Sequence, residues 1–271
     1  MERLFSIDET ERILEGIATP ELAESWDNCG FQVVDRRKDV SHILTALEIT
    51  SDVIDEAVEL GADLVVTHHP MIFGGINSVD SQDVTGEYIF RLMKNGISVY
   101  SAHTNFDRVQ GGNGDYIGRL LEAKKIRTEE FGEGFVKSGI IRDDNGNPLT
   151  AMAVSKLICK ALNMERNSLR LIGEPERLCS RICWVTGSGA DFIRDAKYAG
   201  FDLIITGDVK YHDAMWAKEA GICVVDAGHF GTERIFAENM AKLLQDAFLE
   251  KRGTWPAISI SHAMEDPFYT I

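Results

Sequence analysis

Residues 51–67 and 190–206 align without a gap and share seven identities: Asp52/Asp191, Ile54/Ile193, Ala57/Ala196, Gly61/Gly200, Asp63/Asp202, Leu64/Leu203 and Thr67/Thr206. In each block an amphipathic stretch runs into a glycine and then into an apolar run ending in threonine. Glycine closes helices in the left-handed conformation, and a short β-branched run after it reads as a buried strand. The pattern continues downstream, Gly96-Ile97-Ser98-Val99 with Ala102 against Gly221-Ile222-Cys223-Val224 with Ala227. Strands that alternate with helices pair in parallel, because a helical crossover must return the chain to the same end of the sheet. The expectation is an α/β protein of two related α/β domains, an internal duplication with mixed, largely parallel sheets. Turn formers over residues 132–148 read as a hairpin or loop at the boundary, and the apolar run 257–261 is expected back in the first sheet. This divides the chain into residues 1–126 plus 230–271, carrying most of the chemistry, and residues 127–229 inserted between.

The 271 residues, 44% hydrophobic and 26% charged, have the composition of a soluble globular protein. A membrane span needs about 18 consecutive apolar residues, and the sequence offers none; acidic Glu2, Asp8 and Glu9 stand where a signal peptide would be apolar. A cytoplasmic location is expected. Five cysteines, an odd number without a Cys-x-x-Cys pair, argue against a disulfide framework and for buried, inert thiols. A net charge of −15 repels polyanions, so nucleic acid is not expected as a partner, whereas a bound cation would leave room for a small anionic substrate.

Three groups of candidate ligands follow apolar strands. His68 and His69 end the first, just before Pro70; His103 and Asp107 follow the second; His229 and Glu233 follow the third, four residues apart at a helix start where both share a face. Each group has a plain alternative: a surface pair beside a proline, a turn residue, a carboxylate favouring the helix dipole. All three nonetheless leave strands in the same sense, and the carboxyl rim of an open α/β sheet is where ligands bind. Adjacent His68 and His69 point to opposite faces of a continuing strand, so they share an ion only if the backbone turns there. Three neutral imidazoles and two carboxylates contribute −2 against +4 from two divalent ions, which would favour an anionic substrate oxygen. Nitrogen and oxygen ligands suit zinc, iron(II) or manganese.

Further along, Gly207 would let the chain approach a ligand, Lys210 could hold a phosphate and His212 could move a proton, or the segment is a solvated turn. Gly187-Ser188-Gly189 could cradle an anion or simply turn. Trp26 reads as a packing anchor ahead of a substrate stack, and Thr232 as the cap of a helix with the stripe Ile235, Phe236, Met240, Leu243, Leu244 and Phe248.

Taken together, Trp26-Asp27-Asn28 with Gly30, His68-His69-Pro70, His103-Thr104 with Asp107, Thr206-Gly207-Asp208 with His212, and Gly228-His229 with Thr232-Glu233 resemble the GTP cyclohydrolase I type 2 homologue family, also called NGG-interacting-factor-three-like proteins. The match runs through nearly the whole chain. The resemblance implies two α/β domains, a dinuclear metal centre between them and a ring-shaped homohexamer. It places His69, Asp107 and Glu233 on one ion and His68 and His229 on the other, with Glu233 bridging and His103 beside the metals; Cys29 stands where an aliphatic or small residue is usual. The expected function is a metal-dependent hydrolase acting on a nucleotide or small phosphorylated substrate. His103 or His212 would shuttle the proton and Lys210 would steady negative charge. The alternative is a non-catalytic protein of metal storage or delivery, or a regulatory interaction partner.

Overall fold

The computed structural model describes residues 4–164 and 168–269, which fall into two compact units. The first comprises the described residues up to Val109 together with Phe236–Glu265; the second runs over Gln110–Ile235 and the described residues from Asp266.

In the first unit, helix Ser51–Leu60 begins at Thr50, whose hydroxyl accepts from Val53 N at 3.2 Å, and ends at Gly61 with φ 65. Helix Val84–Asn95 follows the same plan, capped by Asp83 and closed by Gly96 at φ 65. Both glycines take the left-handed conformation that a side chain would strain. The helices connect the strands of a five-stranded sheet, ordered Ala257–Ile260, His42–Ala46, Leu64–Thr67, Ser98–Ser101 and Gly30–Val33. The first four strands are parallel and the last pairs antiparallel with Ser98–Ser101. The final strand therefore returns to the first sheet, as the apolar run near the carboxyl end requires.

Alternation along the strands sends side chains into two separate layers. Ile43, Leu64, Val66 and Tyr100 pack with Ile13, Leu14, Phe106, Phe236, Met240, Leu244 and Phe248. Leu44, Ala46, Val65 and Val99 pack on the other face with Val53, Ile54, Ala57 and Leu92. Covering both faces explains why Leu64–Thr67 is buried throughout its length and carries no polar alternation.

The second unit holds a six-stranded sheet, ordered Arg170–Ile172, Cys223–Asp226, Leu203–Gly207, Ile182–Ser188, Lys137–Ile140 and Lys124–Thr128. Its centre, Ile182–Ser188 with Leu203–Gly207 and Cys223–Asp226, is parallel, and the flanking strands are antiparallel. The turn-rich stretch 132–148 thus contains a strand, Lys137–Ile140, which takes hydrogen-bonded partners on both sides. Trp184 is fully buried and donates its indole N–H to Gly114 O at 2.7 Å. Gly118 and Gly139 make room for it, since a Cβ on either would stand 2.7 or 2.9 Å from an indole carbon.

Helix Phe236–Arg252 buries Phe236, Met240, Leu244 and Phe248 as its spacing predicts. Thr232 does not cap it. The residue lies within a separate short helix, His229–Glu233, where its hydroxyl donates to Gly228 O at 3.0 Å and accepts from Gly187 N at 2.9 Å. Among the described residues no helix is long and apolar enough to cross a membrane.

Replacing Trp184 by Ala removes a large buried ring and leaves the Gly114 carbonyl without its donor. Urea unfolding should show a loss of about 4 kcal/mol. Trp255→Ala, at an exposed position, should cost under about 0.5 kcal/mol by the same measurement.

Candidate metal centre

Strand Leu64–Thr67 stops because the backbone turns, and Leu47 O accepts from both His68 N (3.0 Å) and His69 N (2.9 Å). Thr67 Oγ1 donates to His69 O at 2.9 Å and meets Ser101 Oγ at 2.9 Å, tying the turn to the neighbouring strand end. The turn meets the condition for adjacent histidines to act together: their ring centroids lie 5.3 Å apart with planes 36° apart. His103, after strand Ser98–Ser101, places its ring 5.2 Å from His68 and 5.7 Å from His69. His68, His69 and His103 each offer a ring nitrogen within 4.8 Å of the others, a group able to hold a metal ion.

Two of these imidazoles are oriented through a hydrogen bond at Nδ1. His68, fully buried, donates from Nδ1 to Ala102 O at 2.8 Å, which puts its lone pair on Nε2, 3.6 Å from Asp107 Oδ1. His103 donates from Nδ1 to Asp27 Oδ1 at 2.9 Å. His69 Nδ1 lies 3.8 Å from Glu48 Oε2. A ligating histidine needs such a partner on its other nitrogen, because the partner selects the tautomer and fixes the ring.

Asp27 is the most strongly held of these partners. Burial by itself would raise its pKa, but hydrogen bonds from His103 and Thr104 outweigh burial and hold the carboxyl well below its ordinary 3.8. Cys29 donates its thiol to Asn105 Oδ1 at 3.1 Å, and burial pushes its pKa up to about 11, so it stays a thiol.

In the second unit, His229 Nδ1 donates to Asp208 Oδ2 at 2.8 Å, and Nε2 lies 2.8 Å from Glu233 Oε2 across one helical turn. Glu233 is buried. The space around its carboxylate exists because residue 187 is glycine: at φ 64, a Cβ there would stand 2.1 Å from Glu233 Oε1 and 3.3 Å from His229 Nε2.

Several sequence expectations change here. The amides of Gly187 and Gly189 donate to Thr232 Oγ1 and Thr206 Oγ1, both at 2.9 Å, so Gly187-Ser188-Gly189 is a tight turn already engaged with the protein and not an anion cradle. Gly207 admits the Gly228 backbone, whose carbonyl carbon would lie 2.7 Å from a Cβ, and not a ligand. Trp26 is 59% exposed, so it is no packing anchor. Lys210 and His212 are exposed at the start of helix Tyr211–Ala220, where the His212 ring packs 5.4 Å from Tyr211. Asp27, Glu48 and Asp208, which lie against the rings, were not assigned roles from sequence, and Gly187 reads from sequence as part of an anion cradle or turn and not as the space for Glu233. Asp27 and Asp208 lie inside motifs that the sequence singles out, and that position was their one visible signal.

Imidazoles at the ends of parallel strands, those of His68, His103 and His229 turned by an acceptor on Nδ1, define an α/β protein with groups that could hold metal. The chain belongs to the Duf34/NIF3 (NGG1p interacting factor 3) family, whose model matches residues 5–266. It is 39% identical over 230 residues to a Clostridium perfringens protein named GTP cyclohydrolase 1 type 2 homolog, covering 84% of this chain and 87% of the relative. A Clostridium acetobutylicum protein of the same name is 35% identical over 269 residues, with 94% and 95% covered. Among solved structures, a Staphylococcus aureus hypothetical protein superposes with TM-score 0.90 at 26% identity, covering 99% of this chain and all of its own.

Two outcomes test this geometry. A carboxylate held below its ordinary pKa stabilises the fold above that value, and the contribution is lost as pH falls below 3.8. Asp27→Asn should therefore cost about 2 kcal/mol at pH 7 and flatten the acid limb of the stability curve, measured on chelator-treated protein. Gly187→Ala should leave the circular dichroism spectrum unchanged and weaken metal affinity by about tenfold in equilibrium dialysis; an unaltered affinity would mean Glu233 binds no ion.

Proposed function

We propose that this protein is a metal-dependent hydrolase acting on a nucleotide or small phosphorylated substrate. Its centre is two divalent ions, zinc, iron or manganese, held by His68, His69, Asp107, His229 and Glu233. The observation that carries the reading is the shared orientation of the imidazoles. The Nδ1 atoms of His68, His103 and His229 donate to fixed oxygens, which leaves Nε2 as the ligand atom of His68 and His229 and as the proton-accepting atom of His103. The buried Glu233 carboxylate has two oxygens to share between ions. Supporting the union of both sets of ligands in one centre is the chain itself. Glu233 precedes Phe236 by three residues, and the Phe236 ring lies 5.0 Å from His68. Three residues span at most about 11 Å. In the same reading the sequence repeat records an internal duplication, the protein is cytoplasmic, and it is a homohexamer as the family resemblance implies.

The ions would supply Lewis acidity toward a phosphoryl or carbonyl oxygen and make water acidic enough to serve as nucleophile near neutral pH. His103 then acts as the proton acceptor. Asp27 holds its Nδ1–H, so Nε2 takes the proton, and the carboxylate stabilises the imidazolium that results. The name of the relatives, GTP cyclohydrolase 1 type 2 homolog, favours a nucleotide among phosphorylated substrates. Lys210, exposed, would meet the phosphate, with His212 as a second proton carrier.

Protein purified without chelator should contain two metal equivalents per chain by elemental analysis and hydrolyse a member of a nucleotide and phosphoester panel. Glu233→Gln should lose metal and lower turnover by at least about 100-fold. Two bound equivalents with no hydrolysis in wild type, unchanged by Lys210→Ala and His212→Ala, would favour metal storage or delivery instead.

A further inference from the structure

Large aromatic rings seldom stand in water, yet in the first unit Trp26 is 59% and Phe73 67% exposed. Their centroids are 5.8 Å apart, and both rings meet the His103 imidazole near edge-on, at 6.2 and 6.5 Å. The three rings form one surface beside the histidine cluster.

That surface is exposed without being loose. Asn28 Nδ2 donates to Ile72 O at 2.8 Å, Ile72 N donates to Gln32 Oε1 at 3.1 Å, and Gln32 Nε2 donates to Asn28 O at 2.6 Å. These bonds bind the backbone beside Phe73 to the segment that follows Trp26. On the other side, Asp27 is locked to His103 and to the Thr104 backbone. The backbone that carries both rings is thus held in place by the fold, and a ligand gains most from stacking where less remains to be ordered. The folded unit itself gains little from rings left in water.

We propose that Trp26 and Phe73 form a stacking subsite for the planar heteroaromatic ring of a nucleobase. The substrate of the proposed hydrolase, on which this inference rests, is then a nucleoside phosphate and not a sugar phosphate or simple phosphoester. A nucleobase matches this surface: its π-face covers the exposed rings, and His103 Nε2 remains for proton transfer, since Nδ1 is engaged by Asp27. A net charge of −15 disfavours a long polyanion, so the ligand proposed is a mononucleotide.

The test is equilibrium dialysis of metal-loaded protein against guanosine 5′-monophosphate, adenosine 5′-monophosphate and ribose 5-phosphate. A nucleotide should bind about tenfold or more tightly than ribose 5-phosphate. Trp26→Ala and Phe73→Ala should each erase most of that difference without altering metal content or ribose 5-phosphate binding, and Trp26→Phe should restore it. Equal affinity for all three probes overturns the proposal. So does a change in oligomeric state in both alanine variants with nucleotide affinity intact, which would make the patch a contact between copies. Base-dependent binding without turnover would sink the hydrolase reading and leave the subsite standing; turnover of ring-free phosphoesters with no base preference would do the reverse.

Discussion

The arrangement depends on how parallel strands end. A strand in a parallel sheet cannot fold back on itself, so it must leave the sheet at its carboxyl rim, where the backbone is free to turn. After Thr67 that turn is held by one carbonyl, Leu47 O, which accepts from two consecutive amides. Its consequence is chemical: it brings together side chains that a continuing strand would have sent to opposite faces. Ser101 reinforces the turn from the next strand, and His103 leaves that strand two residues later. In this unit, donor atoms remote in sequence are thereby close in space at the end of one sheet.

A second constraint is electrostatic. The chain is strongly acidic, and several carboxylates sit against the histidines: Asp27 on His103, Asp107 near His68, Glu48 near His69, Asp208 and Glu233 on His229. Hydrogen bonds can hold a buried carboxylate ionised, as they hold Asp27, but negative charge concentrated among imidazoles calls for a compensating cation. A divalent ion would supply it. The same carboxylates make these places attractive to metal.

Secondary structure was legible wherever the chain uses period and punctuation. The strand Leu64–Thr67 is a short β-branched run, and the helix before it ends at a glycine with positive φ. The stripe Phe236, Met240, Leu244 and Phe248 announced its buried face. Thr232 was misread because a threonine ahead of an apolar helix looks like a cap, and only the position of Gly187 N shows where its hydroxyl goes. Lys137–Ile140 was hidden among turn formers, since two neighbouring strands stabilise it more than its own residues do.

The sequence alone determined the fold class and the residue types available for chemistry, because periodicity, glycine caps and the histidine positions are local properties that survive without neighbours. Tertiary structure decided which of those residues act together and in what state. The tautomer of His68 depends on Ala102 O, the ionised form of Asp27 on His103 and Thr104, and the space for Glu233 on a glycine 46 positions away. Each is a contact between segments far apart in the chain, and a hydrogen bond or a steric vacancy has no meaning until both sides of it are in place.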